Sequence, residues 1–260
     1  MSKYISELWY FRELLWAMTS KEIQIRYKQT LLGAAWAVLQ PVSLAIIFSI
    51  VFGIFLKIES SGVPYIIFAY SALLPWTFFT TAVSFGALSV VNNGGLVTKI
   101  YFPREILPLA SVGAAFFDFV MASAIFVVMI IIYKLPLTLN FLYLLIFIPS
   151  VVLLTIGISL ILSTLNVLFR DVRFVVPLVL QIWLYISPVI YSLDQVPDRF
   201  RILILLNPMA PLIQGFRDVT VFGKTPEVSQ LVSSFSISLV TFVLGYWFFK
   251  SREKIFADII

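Results

Sequence analysis

The chain has 260 residues, 61% of them hydrophobic and 12% charged, with a mean hydropathy of +1.03. A soluble domain carries about 25% charged residues, so this chain lacks the polar cover for a water-facing surface and is read as an integral membrane protein. It has no cysteine and no histidine, which excludes disulfides, thiolate or HExxH metal sites and histidine acid–base chemistry, and its net charge of +5 is spread in short clusters between apolar runs, the signature of membrane topology rather than of a nucleic-acid-binding face.

The first 30 residues carry Glu7, Arg12 and Glu13 among Trp9, Tyr10, Phe11 and Trp16. Such charges interrupt the apolar core that a signal peptide needs, and the aromatics suit a segment at the membrane surface. Thr19-Ser20-Lys21-Glu22 reads as a capping box opening a short helix over 20–30. Six stretches then approach the roughly 20 apolar residues that cross a bilayer: 31–56, 65–91, 106–133, 141–169, 174–192 and 228–249. Asp118, in the third, is the single charged residue within these six cores. Interior prolines at 41, 75, 108, 149 and 188 are read as kinks, which membrane helices tolerate. The expected fold is an all-α six-span bundle forming one domain over 1–260. It divides into an interfacial segment (1–30), the bundle (31–249) and a short tail (250–260).

Basic residues orient the bundle. With both termini inside, 12 of the 18 Lys and Arg residues lie on the inner side, as the positive-inside rule requires. The loop over 193–227 has four prolines and two apolar pieces, 202–206 and 209–216, each too short to cross. They are expected to be short re-entrant helices covered by protein.

Asp118 is an ionisable group in mid-span, which marks function or a buried partnership. Ser111, Ala115, Asp118 and Ala122 share one small-residue face, so Asp118 is expected to face neighbouring helices. Trp76 and Trp183 lie too deep for an interfacial belt. With Tyr70, Phe78 and Tyr185 they are candidates to line a pathway for sugars, whose C–H faces stack on rings. Gly223-Lys224-Thr225 imitates the end of a phosphate-binding loop, but the required glycine five positions earlier is Asp218, so no nucleotide site is read there. Arg170 and Asp171 are expected to form a local ion pair at a turn. One intramembrane carboxylate is too few for a lipid-linked transferase, and no matched pair of broken halves suggests a secondary transporter.

Four blocks carry a resemblance that covers nearly the whole chain in order. They are Arg26-Tyr27-Lys28-Gln29-Thr30-Leu31-Leu32-Gly33 with Leu39-Gln40-Pro41; Lys99-Ile100-Tyr101-Phe102-Pro103-Arg104-Glu105; Leu165-Asn166 to Arg170-Asp171 with Ser187-Pro188; and Leu206-Asn207-Pro208 with Gly215-Phe216-Arg217. Together they resemble ABC-2-type polysaccharide export permeases, the membrane subunits of lipopolysaccharide O-antigen exporters above all. The resemblance implies a non-enzymatic permease of the bacterial inner membrane, working as a homodimer with two copies of an ATP-binding subunit. ATP and magnesium would be held by that subunit, and no cofactor by this chain. The cargo would be lipid-linked polysaccharide, with capsule polymer, teichoic acid, a drug or a lipid as the alternative. It also implies that 92–105 couples to the ATPase, through Lys99, Tyr101, Phe102, Pro103, Arg104 and Glu105.

Overall fold

Asn92-Asn93-Gly94-Gly95 and Phe102-Pro103 punctuate the chain where helices end, and the structure follows that punctuation. The computed structural model describes residues 7–197, 199, 204 and 206–260, which contain helices and no strand. Helix α1 (Arg12–Tyr27) is followed by a turn with Gln29 at φ 67° and Gly33 at φ 55°. Helix α2 (Trp36–Phe48) continues through wider π turns over Ser49–Phe55. Then come α3 (Tyr65–Asn92), the one-and-a-half-turn α4 (Gly94–Lys99), α5 (Ile106–Ile132), α6 (Leu144–Leu168) and α7 (Val172–Ile186). Helices α8 (Met209–Thr220), α9 (Val228–Arg252) and the terminal turn α10 (Phe256–Ile259) complete the chain.

Among the described residues, five helical stretches are long and apolar enough to cross a membrane, and α7 is a shorter apolar helix. At 1.5 Å per residue its 15 residues span about 22 Å, short of the roughly 30 Å hydrocarbon core. The expected helix over 174–192 therefore ends early. Ser187 precedes Pro188 and is extended (φ −87°, ψ 148°), because the proline ring excludes the α conformation from the residue before it. Pro188 stops a helix where a kink was expected, whereas Pro41, Pro75, Pro149 and the unforeseen Pro177 lie inside helices.

Helix α3 is the hub. It packs on α5 and α6 and also meets α2, α7 and α8. In its most apolar window 78% of residues are buried, against 17% for the windows in α2 and α9. The outer helices thus leave their apolar faces to lipid or to another chain. Helices α6 and α9 touch backbone to backbone: a Cβ on Gly245 would sit 2.3 Å from the Gly157 carbonyl oxygen, and one on Gly157 would sit 2.7 Å from Thr241 and Phe242. Small residues permit this approach, which replaces the hydrophobic drive that lipid cannot supply.

The capping box expected at Thr19 does not form. Thr19 lies mid-helix, is buried, and donates its hydroxyl to the Leu15 carbonyl (2.8 Å). A methyl added to Gly113 of α5 would meet Thr19 at 3.0 Å, so a tertiary contact takes the residue that local capping would have used. A capping box does open α9, between Glu227 and Gln230. Of the two short helices expected in the external loop, 209–216 is the core of α8, buried over nearly its whole length; 202–206 falls largely outside the described residues.

Candidate functional site

The 92–105 segment sits at the α4 end of the bundle and divides into an anchored and an offered part. Glu105 is 1% exposed and accepts from Lys250 Nζ (2.8 Å) and Tyr246 Oη (3.3 Å) of α9. Lys250 also bonds Glu253 (3.0 Å), and Arg104 Nη1 donates to the Glu253 carbonyl. Phe102 and Pro103 are buried, Phe102 in a cluster with Val97, Ile106, Phe249 and Phe256. Thr98, Lys99, Ile100 and Tyr101 remain exposed, Tyr101 to 84%. Beside them lies a groove of about 790 Å³ lined by Tyr101, Arg104, Glu253 and Lys254. Of the six expected coupling residues, Lys99 and Tyr101 face outward, Arg104 is half-buried, and Phe102, Pro103 and Glu105 fix the segment to the bundle.

The second feature joins α1 to α5. Asp118 Oδ2 accepts from Arg26 Nη1 (2.7 Å) and Oδ1 accepts from Tyr27 Oη (2.5 Å). The Arg26 guanidinium lies 4.2 Å from the centroid of the Phe85 ring on α3. Burial, then the bond to Asp118, raises the Tyr27 phenol well above its ordinary range, so it stays a proton donor. Ser111, Ala115 and Ala122 are buried, as the shared small face required. Helix α1 climbs along α5: Leu8, Phe11 and Leu14 pack near Phe102 and Ile106, Thr19 abuts Gly113, and Tyr27 reaches Asp118.

At the other end of α3, the last two motif blocks meet in space. Trp183 Nε1 donates to Asn207 Oδ1 (2.8 Å), and Asn207 Nδ2 donates to Ser187 Oγ (2.9 Å). Arg217 is fully buried; its Nη2 donates to the Pro188 (2.9 Å) and Val189 (3.2 Å) carbonyls, and its guanidinium lies 3.8 Å from the Phe68 ring centroid. These carbonyls are free because Pro188 broke the helix. Gly223, at φ +60°, occupies a left-handed turn pinned by Asn140 Nδ2 on its carbonyl (2.8 Å), so the Gly-Lys-Thr tripeptide is a structural turn. Arg170 and Asp171 are both exposed and do not pair with each other; solvent screening leaves such a pair little to gain.

Among the pathway candidates, Tyr70 and Trp76 are core residues: Tyr70 Oη donates to the Ala122 carbonyl (2.9 Å), and Trp76 packs edge-on to Trp183 (centroids 6.4 Å). Phe78 is buried against Phe116 and Phe119 and borders a cavity beside Asp118. Trp183 is half-buried, and Tyr185 is exposed on α7 with Phe174, Leu178 and Ile182.

Sequence reading missed the partners rather than the anchors. Lys250 and Tyr246 are about 140 residues from Glu105, and Arg26 is 92 from Asp118. A single chain gives no signal for such pairings beyond the rule that a charge in a membrane needs company.

Helices without strands, five of them bilayer-length and apolar, with ion pairs at interhelical points, define a multi-pass membrane domain among the described residues. The sequence profile of the ABC-2 type transporter matches residues 13–221, and the chain belongs to that family. It is 29% identical over 257 residues to an O-antigen export system permease protein, RfbA, of Klebsiella pneumoniae, covering 97% of each chain. It is 28% identical to the RfbA of Myxococcus xanthus over the full length of both. It is also 23% identical to the polysialic acid transport protein KpsM of Escherichia coli, covering 92% of this chain and 93% of the relative.

Proposed function

We propose that this chain is the membrane subunit of an ATP-driven exporter that carries lipid-linked polysaccharide across the bacterial inner membrane. The observation that carries the reading is its end-to-end similarity to O-antigen export permeases. The more distant likeness to a polysialic acid transport protein keeps the cargo within the same chemical class. Two copies of the chain enclose the pathway, their exposed α7 faces with Tyr185 turned toward it. The stretch from Val172 to Ser192 completes a sixth crossing, and both termini lie in the cytoplasm. Two ATP-binding subunits, which hold the nucleotide and its magnesium ion, dock on Lys99, Tyr101 and Arg104 beside the groove. The Glu105–Lys250 pair (2.8 Å) ties the docked segment to α9, so a push on α4 moves a whole helix rather than a loop.

Deleting the gene in a bacterium that carries it, then restoring it on a plasmid, tests the reading. Polymer is expected to accumulate inside the deletion strain and return to the surface on complementation. Normal surface polymer in the deletion strain would refute the export role.

A further inference from the structure

A cavity of about 300 Å³ opens beside the Arg26–Asp118 pair, walled by the end of α1, α2, α3 and α5. That volume lies at the lower end of small-molecule sites, about 300–1,000 Å³. Its wall combines the Trp36 indole, the Gln40 amide, the Thr77 and Thr81 hydroxyls and the Phe78 and Phe85 rings. Arg26 also lines it, with a side chain only 9% exposed, and its Nε and Nη2 are buried without an acceptor. Buried donors of this kind call for a partner that brings an oxygen lone pair.

Charge decides which partner. Arg26 and Asp118 are the two charged groups of the lining, and they cancel. An anion gains no net attraction there and meets the Asp118 carboxylate. A neutral, hydroxyl-rich group satisfies every part of the wall: its oxygens accept from Arg26, its O–H groups donate to Asp118 and Gln40, and its C–H faces lie on the rings. On two of the helices that wall the cavity, α2 exposes Leu39 and Ile46, and α5 exposes Phe116 and Val120. These apolar surfaces suit a hydrocarbon tail.

We infer that the cavity seats a sugar ring at the head of an amphiphile whose tail lies along the exposed faces of α2 and α5. The site stands on this geometry; that its natural occupant is the lipid-linked cargo rests on the export reading above. A glycerol-headed membrane lipid offers a smaller version of the same hydroxyl chemistry, and the test separates the two.

The full-length chain, purified in an amine-oxide detergent that carries no sugar, is titrated with octyl glucoside, octyl phosphate and octylglycerol and examined by native mass spectrometry. Octyl glucoside is expected to bind at least tenfold more tightly than the other two. Ala37→Phe, which places a ring in the cavity from a half-buried position, and Gln40→Leu, at an exposed one, are each expected to weaken it about tenfold. Gln40→Leu keeps the test alive if the larger side chain disturbs folding. Equal or tighter binding of octyl phosphate overturns the charge argument, and equal binding of octylglycerol assigns the cavity to membrane lipid. Glucoside binding untouched by Gln40→Leu places the ligand elsewhere. A deletion strain with normal surface polymer would sink the export reading while leaving this binding result standing.

Discussion

Two arginines are buried at opposite ends of α3, each over a phenylalanine of that helix, and their cations meet different kinds of partner. Arg26 lies 4.2 Å from the Phe85 ring centroid and meets a carboxylate, Asp118 at 2.7 Å. Arg217 lies 3.8 Å from that of Phe68 and meets two backbone carbonyls that a proline released. The first cation is neutralised and joins a helix that starts beside the 92–105 segment to the middle of α5. The second is bonded to carbonyl dipoles rather than to a carboxylate and stitches α8 to the end of α7. An ion pair can be broken and remade by moving one helix, whereas the carbonyl cradle depends on a fixed chain bend. The α1 end therefore reads as the adjustable one and the α8 end as the rigid one.

Breaking the ion pair from one side gives the largest expected effect. Asp118→Ala leaves the Arg26 charge buried without its counterion and is expected to cost about 3–5 kcal/mol, seen as a large drop in the melting temperature of the purified chain. Adding Arg26→Met in the same molecule is expected to recover much of that loss. Arg217→Ala removes bonds from a charged donor, worth about 2–3 kcal/mol. Arg217→Lys is not expected to restore them, because a compact ammonium cannot both lie flat on Phe68 and reach two carbonyls. If Arg217→Lys melts like the native chain, the cradle is not what holds α8.

Smaller effects sharpen the contrast. Gly157→Ala pushes a methyl into the α9 backbone and is expected to cost about 1–3 kcal/mol, a packing penalty that no charge change rescues. Trp183→Phe forfeits the bond to Asn207, about 1 kcal/mol. Tyr101→Ala is expected to leave stability within about 0.5 kcal/mol, since the side chain is 84% exposed, yet to lower export in the complementation assay. A native export level in that variant would remove Tyr101 from the docking surface.

Helix existence was legible wherever composition alone decided it: a run such as 65–91, without a charge, has no other stable state in lipid. Local boundaries were less so. The Ser187-Pro188 stop is written in the sequence, but the apolar run that continues past it to Tyr191 masks it. Thr19 reads as a cap by local rules and is a packing residue by tertiary ones. At the site, Asp118 stood out as a charge within an apolar helix, whereas Glu105 was marked only by the motif that carries the family resemblance, as a residue facing the ATPase. Their partners Arg26 and Lys250 did not, because the separation of 92 residues in one case and 145 in the other is closed only by the fold. The aromatic candidates failed to separate for a related reason: Trp76 and Tyr185 have similar composition-level signals, and only packing reveals that one is interior and the other exposed.

The exposed face of Lys99–Tyr101 is expected to lie in the compartment that supplies ATP. The chain contains no cysteine, so single introduced cysteines report without background. With a membrane-impermeant maleimide, Tyr101→Cys is expected to label only after the cells are opened, while Thr225→Cys labels in intact cells. Labelling of Tyr101→Cys from outside intact cells would contradict the account.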